Sequence, residues 1–132
     1  MEFNIEKSLL KSLGIEITEL SKGKVIATMP VDERTWQPVG LLHGGASVAL
    51  AETAASIGGY ELVDKSKEAV VGLEINANHI KGKRSGIVTA EANILHRGKT
   101  TMVWDIKIRD EEEQLISVSR CTLAVISLNQ KS

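Results

Sequence analysis

The chain has 132 residues, 42% of them hydrophobic, a formal net charge of −1 and one cysteine. That size suits a single domain over residues 1–132 with a core large enough to stand alone. The near-neutral balance argues against a nucleic-acid binder, Cys121 on its own excludes an internal disulfide or a cysteine-based zinc site, and no apolar run is long enough to cross a bilayer. The first residues, with Glu2 and Glu6, lack a signal-peptide layout, so a reducing cytoplasm is the expected compartment.

In chain order, Ile5, Leu9, Leu10 and Leu13 make the apolar stripe of a short predicted helix ending at Gly14. Ile15 to Leu20 and Lys24 to Val31 read as strands joined by a turn at Ser21-Lys22-Gly23, with Val25, Ala27, Met29 and Val31 sharing a face. Asp32 to Gly40 is irregular, broken by Pro38 and Gly40. Gly44 to Tyr60 then reads as one long helix ending near Gly58-Gly59. Its alanines favour helix, and apolar residues on every side predict burial. Four strands follow: Ala69–Ile80, Gly86–His96, Thr101–Arg109 and Gln114–Ser127, the last two joined by the acidic turn Asp110-Glu111-Glu112-Glu113. Val71, Leu73, Ile75, Ala77 and His79 fall on one face of the first of these strands by period two. Short connections predict that the four pair in order as an antiparallel meander. The arrangement is α+β, a long helix in a curved antiparallel sheet. Its sheet edges and apolar surface predict an oligomer whose smallest unit is a dimer.

Glu52 is the only charge in the long helix, and a lone carboxylate in apolar surroundings is costly unless paired or used. It is a candidate acid, base or nucleophile, against the plainer reading of a hydrogen-bonded structural glutamate. Ser56, one turn on, is placed beside it. The stretch Gln37-Pro38-Val39-Gly40-Leu41-Leu42-His43-Gly44-Gly45 leads into the helix, where free backbone N–H groups stabilise developing negative charge. Such donors suit an acyl-transfer oxyanion, and the Gln37 amide can add another. His43 can hold the loop, touch substrate or carry a proton. His79, on an apolar strand face, reads first as structural. With Glu52 the two histidines could bind zinc only by converging from three elements, and they lack a short ligand pair. Two basic turns, Lys81-Gly82-Lys83-Arg84-Ser85-Gly86 and His96-Arg97-Gly98-Lys99-Thr100, could hold phosphates or be simple solvated turns. They lie at opposite ends of one strand, so one site uses both only across subunits. Gly72, inside a strand, marks a bulge or a close approach. The chain contains neither a P-loop nor a nucleophile elbow. Cys121, mid-strand, reads as a structural thiol.

The run MPVDERTWQPVGLLHGGASVALAETAAS, followed by VVGLEINANHI, resembles the hotdog-fold acyl-CoA thioesterases of the phenylacetate-pathway type. Within them it is most similar to the bacterial 1,4-dihydroxy-2-naphthoyl-CoA thioesterases of menaquinone biosynthesis. The resemblance runs from about Gly14 to Ile126. It implies a hotdog fold, a homodimer or, more usually, dimers paired into a homotetramer, and sites at the subunit interface. It also implies hydrolysis of an acyl-CoA, with an aromatic or bulky acyl group, without a metal or redox cofactor; the composition adds the expectation of no nucleic-acid or membrane partner. By the same resemblance Glu52 is nucleophile or general base, Gly44 the oxyanion donor and Gln37 a second polariser. His43 supports the thioester end and Ser56 orients Glu52 or water. Gly72, His79, Ile80, Lys81, Gly82 and Arg84, with His96, Arg97, Gly98, Lys99 and Thr100, contact the acyl-CoA. The rival readings are a hotdog hydratase or dehydratase and a non-catalytic acyl-CoA-binding domain.

Overall fold

A computed structural model describes residues 4–128. The N-terminal stripe forms a 3-10 turn, Ile5–Lys7, and a separate short helix α1, Leu9–Leu13, because Ser8 is extended between them. Gly14 closes α1 at φ +74°, where the expectation put its end. Only Leu10 and Leu13 pack on the core, while Ile5 and Leu9 are exposed, so the predicted stripe is half correct.

Strands β1 (Glu16–Ser21) and β2 (Lys24–Val31) form the predicted hairpin. In β2 buried and half-buried residues alternate, and Val25, Ala27, Met29 and Val31 all face inward. The long helix α2 spans Gly44–Leu62, three residues beyond the predicted glycine pair. Strands β3 (Glu68–His79), β4 (Gly86–Arg97), β5 (Thr101–Arg109) and β6 (Leu115–Ser127) follow. All six make one antiparallel sheet in the order β1-β2-β4-β5-β6-β3.

That order corrects the four-strand meander. Only β4, β5 and β6 pair in sequence, whereas β3 lies at the far edge against β6. The segment from Ile80 to Ser85 is a crossing and not a hairpin turn. Ile80 and Lys81 donate backbone bonds to Ile116, and Leu42 donates to Lys83. The sheet thereby wraps α2, which touches every strand.

A bulge between Gly72 and Glu74 also corrects the predicted face of β3. One extra residue reverses the pleat. Gly72 pairs with the inward Leu123, while Ile75, Ala77 and His79 pair with Cys121, Ser119 and Ser117 on that same inner face. Val71 pairs with Ala124 on the outer face, and Leu73, in the bulge, is exposed.

The core is built from the inner sheet face and one side of α2. Buried positions on α2 are Ala46, Ser47, Leu50, Ala51, Ala54, Ala55, Gly58, Gly59 and Leu62. This is a stripe recurring every three to four residues. The opposite side, with Val48, Ala49, Glu52, Ser56 and Ile57, is only half-buried. An all-round apolar helix therefore has one face unfilled by its own chain, and Glu52 lies on that face. Gly58 lets the helix meet the sheet: a Cβ there would lie 2.5 Å from the Trp104 ring and 2.8 Å from Val25.

Candidate active site

His43 precedes the first turn of α2 and caps it. Its Nδ1 accepts the Gly45 N–H at 2.7 Å, and its carbonyl accepts from Ala46 and Ser47 at 3.0 and 3.2 Å. The first four amides of a helix lack intrahelical partners. Here three of them are taken up by His43. Among the described residues no acceptor holds the fourth, the Gly44 N–H. One donor at the positive end of the helix dipole is left over.

The loop before the helix is fixed just as firmly. His43 N–H donates to the Thr35 carbonyl at 2.8 Å, and the hydroxyl of buried Thr35 donates to the Pro30 carbonyl at 2.8 Å. Gln37 turns back on its own loop. Its Oε1 accepts the Val39 N–H at 2.6 Å and the Leu41 N–H at 3.4 Å. Backbone N–H groups only donate, so the amide oxygen must face them and the amide NH2 is the end left to donate elsewhere.

Gln37 and Gly44 line one cavity of about 300 Å³, together with Ser47, His79, Lys81, Gly82 and the apolar Leu41, Leu42, Ile80 and Ile116. The His79 ring stands against Gly44, its Nε2 2.7 Å from where a Cβ on Gly44 would be. Six of the residues singled out from the sequence thus meet here. Ser47, Leu41, Leu42 and Ile116 were not singled out. Helical spacing could have found Ser47, one turn beyond His43 and Gly44; Ile116 carried no signal, since only the β3–β6 pairing brings it in.

Glu52 is elsewhere. Its carboxylate lies over β3 at the bulge, with Oε2 2.7 Å from the position of a Cβ on Gly72. Any side chain at Gly72 would displace it, which accounts for the glycine inside that strand. Ser56 follows Glu52 one turn along the same half-buried side. Behind them burial pushes the Cys121 thiol up to about 11, and the charges of Glu52 and Glu74 add to the shift. Cys121 is therefore an inert core thiol at neutral pH.

The basic turns divide. Lys81 Nζ donates to Gln114 Oε1. Lys83 pairs with Glu111 at 2.7 Å and lies 3.8 Å from Asp110. Arg84 is exposed, and its carbonyl accepts the Trp36 indole N–H at 2.9 Å. At the other end of β4, the Arg97 guanidinium donates to the Leu62 carbonyl and so caps the C-terminal end of α2. His96 folds over Gly98, and Lys99 and Thr100 are exposed. Within one chain neither Glu52 nor this second turn reaches the cavity of Gly44.

A family model described as the thioesterase superfamily matches residues 39–117, a stretch that holds the helix, the crossing segment and both basic turns. The chain belongs to the thioesterase superfamily. It is 58% identical to ComA2 of Bacillus subtilis over 123 residues, covering 93% of this chain and 98% of that one. With the 1,4-dihydroxy-2-naphthoyl-CoA hydrolase of Listeria monocytogenes it shares 53% identity over 117 residues, 89% of this chain and 94% of the relative. The crystal structure of a variant of thioesterase PA1618 from Pseudomonas aeruginosa superposes with a TM-score of 0.92 at 47% identity, covering 94% of this chain and 89% of that one. This thioesterase has the hotdog fold, with its long helix inside a curved antiparallel sheet, and is a thioester hydrolase.

Proposed function

We propose that this thioesterase hydrolyses an acyl-CoA carrying an aromatic or bulky acyl group, with 1,4-dihydroxy-2-naphthoyl-CoA the first substrate to test. The observation that carries the reading is the Gly44 N–H, without an acceptor among the described residues, lining one cavity with Gln37, whose amide oxygen is taken up by its own loop and whose NH2 is left to donate. If both donate to one oxygen, they stabilise the charge that develops on a thioester carbonyl under attack. The apolar walls Leu41, Leu42, Ile80 and Ile116 suit a large hydrophobic acyl group. The relative named for naphthoyl-CoA hydrolysis supports the choice of the first substrate.

Glu52 is the proposed nucleophile or general base. Attack by its carboxylate forms a mixed anhydride and expels the CoA thiolate; water then cleaves the anhydride. As a base it takes the proton of a water that attacks the carbonyl carbon. Both routes give the free acid and CoA.

Geometry bears on where Glu52 acts. Gly44 and Glu52 are eight residues apart on one helix, about 12 Å along its axis. Gly44 stands against His79 and the Glu52 carboxylate against Gly72, roughly 20 Å apart along β3. One thioester does not touch both within one subunit. We therefore assign the site to a pair of subunits, one presenting Gly44 and Gln37, the other Glu52 and Ser56. The half-buried side of α2 that carries Glu52 supports that pairing. It also lets the turn at His96 to Thr100 meet the substrate of a neighbour, with Lys99 there and Arg84 at the other turn the cations without an ion-pair partner among the described residues.

The test is thiol release from a panel of acyl-CoAs that includes dihydroxynaphthoyl, benzoyl and medium-chain esters. Release of CoA with an aromatic preference is expected. A hydratase would alter the acyl chain and leave the thioester intact, and a binding domain would do neither.

A further inference from the structure

The acidic turn between β5 and β6 lies outside the cavity, yet it grips the segment that forms one cavity wall. The turn itself is rigid. Asp110, 8% exposed, accepts the Glu112 and Gln114 N–H groups on Oδ1, both at 2.9 Å, and exchanges backbone bonds with Glu113 and Gln114. From this base it reaches the crossing segment at two places and the start of β4 at a third. Gln114 Oε1 takes Lys81 Nζ, Glu111 Oε1 pairs with Lys83 Nζ at 2.7 Å, and Glu111 Oε2 accepts the Ile87 N–H at 3.1 Å. Gly86, at φ +93°, is where Glu111 seats: a Cβ there would collide with Oε2.

The gripped segment in turn holds the loop that carries the oxyanion donors. Leu42 N–H donates to the Lys83 carbonyl at 2.8 Å, and the Trp36 indole N–H donates to the Arg84 carbonyl at 2.9 Å. Trp36 and Leu42 also pair as an antiparallel bridge. Gln37 follows Trp36, and Gly44 lies two residues after Leu42. An unbroken series of bonds therefore runs from Glu111 through Lys83 to both sides of the loop that positions Gln37 and Gly44.

We infer that Glu111 is a positioning residue for the oxyanion donors, acting through Lys83 and the segment from Lys81 to Ile87. The inference rests on the proposed hydrolysis for its kinetic readout, but the mechanical coupling is measurable without it. Misplacing oriented donors by fractions of an ångström slows the chemical step and leaves ground-state contacts in place. Glu111→Ala should lower kcat by between about 10- and 100-fold while KM stays within about twofold. Lys83→Met should do the same, Lys83→Arg should restore turnover, and the double variant should be no worse than either single one, as residues in one network are non-additive. In Glu111→Ala the Leu42 amide should exchange with solvent faster, and the Trp36 emission should shift, in a protein that still melts cooperatively.

Unchanged kcat in Glu111→Ala overturns the inference. So does a loss of kcat with Leu42 exchange and Trp36 emission unaltered, because the effect would then bypass the loop. If the wild-type protein releases thiol from none of the panel, the proposed function fails on its own account. Leu42 exchange and Trp36 emission then decide the brace: unaltered values in Glu111→Ala overturn it.

Discussion

Glutamine in place of Glu52 keeps the side chain's shape and removes both its basicity and its nucleophilicity. The half-buried carboxylate has no ion-pair partner among the described residues that would be stranded by the change. Glu52→Gln should therefore keep its fold, by circular dichroism and melting, and lose roughly two orders of magnitude or more in turnover. Near-wild-type hydrolysis would remove Glu52 from the mechanism. Gln37→Ala should act differently. It deletes a donor whose bond strengthens as the oxyanion forms, so kcat should fall more than KM rises. A change confined to KM would make Gln37 a binding residue only. At this scale the sequence was informative where the backbone dictates the role. His43 before a glycine pair marked the helix start, and the lone charge of Glu52 marked the carboxylate. The fate of Arg97 was not legible, because its acceptor, the Leu62 carbonyl, is 35 residues away and appears only once β4 lies along the end of α2. Lys83 likewise read as one cation among several, since its acid partners arrive with the next turn but one.

At the scale of elements, periodicity served well wherever one face of a strand is covered without interruption. Strands β2 and β5 alternate as expected from end to end. It misled in β3, where period two was carried unbroken through a strand whose Gly72 itself marked the bulge and the close approach of Glu52. Pairing order was also hidden. Chain proximity favours neighbours, and nothing in Ile80 to Ser85 says that the segment crosses the end of a helix. The contact between α2 and the sheet yields a stability prediction. Gly58→Ala pushes a methyl group against Trp104 and Val25 in a packed core, which should cost about 1–3 kcal/mol, read as a lowered denaturation midpoint with an unchanged slope. The grip of the acidic turn yields a pH prediction. Pairing with Lys83, together with its own backbone N–H and that of Ile87, holds the Glu111 carboxyl down at about 2, against an ordinary 4.5. A depressed carboxyl stabilises the fold above its unfolded value and ceases to do so as pH falls through its folded one. The contribution should thus be complete above about 4.5 and disappear towards 2. Acid titration of the Trp36 emission should show this step in the wild type and lack it in Glu111→Ala.

For the whole molecule, the two edges of the sheet differ. Strand β1 is bulged between Ile17 and Glu19 and carries Glu16 and Glu19, features that discourage pairing. Strand β3, at the other edge, exposes Val71 and Leu73 and lies next to the uncovered side of α2. Association through β3 would cover both, and light scattering should report a dimer or larger. A monomer that remains active at assay concentration would contradict the shared site. The eight-residue step from Gly44 to Glu52 carries a consequence for genetics as much as for chemistry. If each reaction centre draws on two chains, two impaired proteins can restore one another. Gln37→Ala subunits still own a sound carboxylate, and Glu52→Gln subunits still own sound donors. Refolded together in equal amounts, half of the random pairs are hybrids, and each hybrid holds one centre with both parts intact. Activity should then return to about a quarter of the wild-type level, well above that of either parent alone.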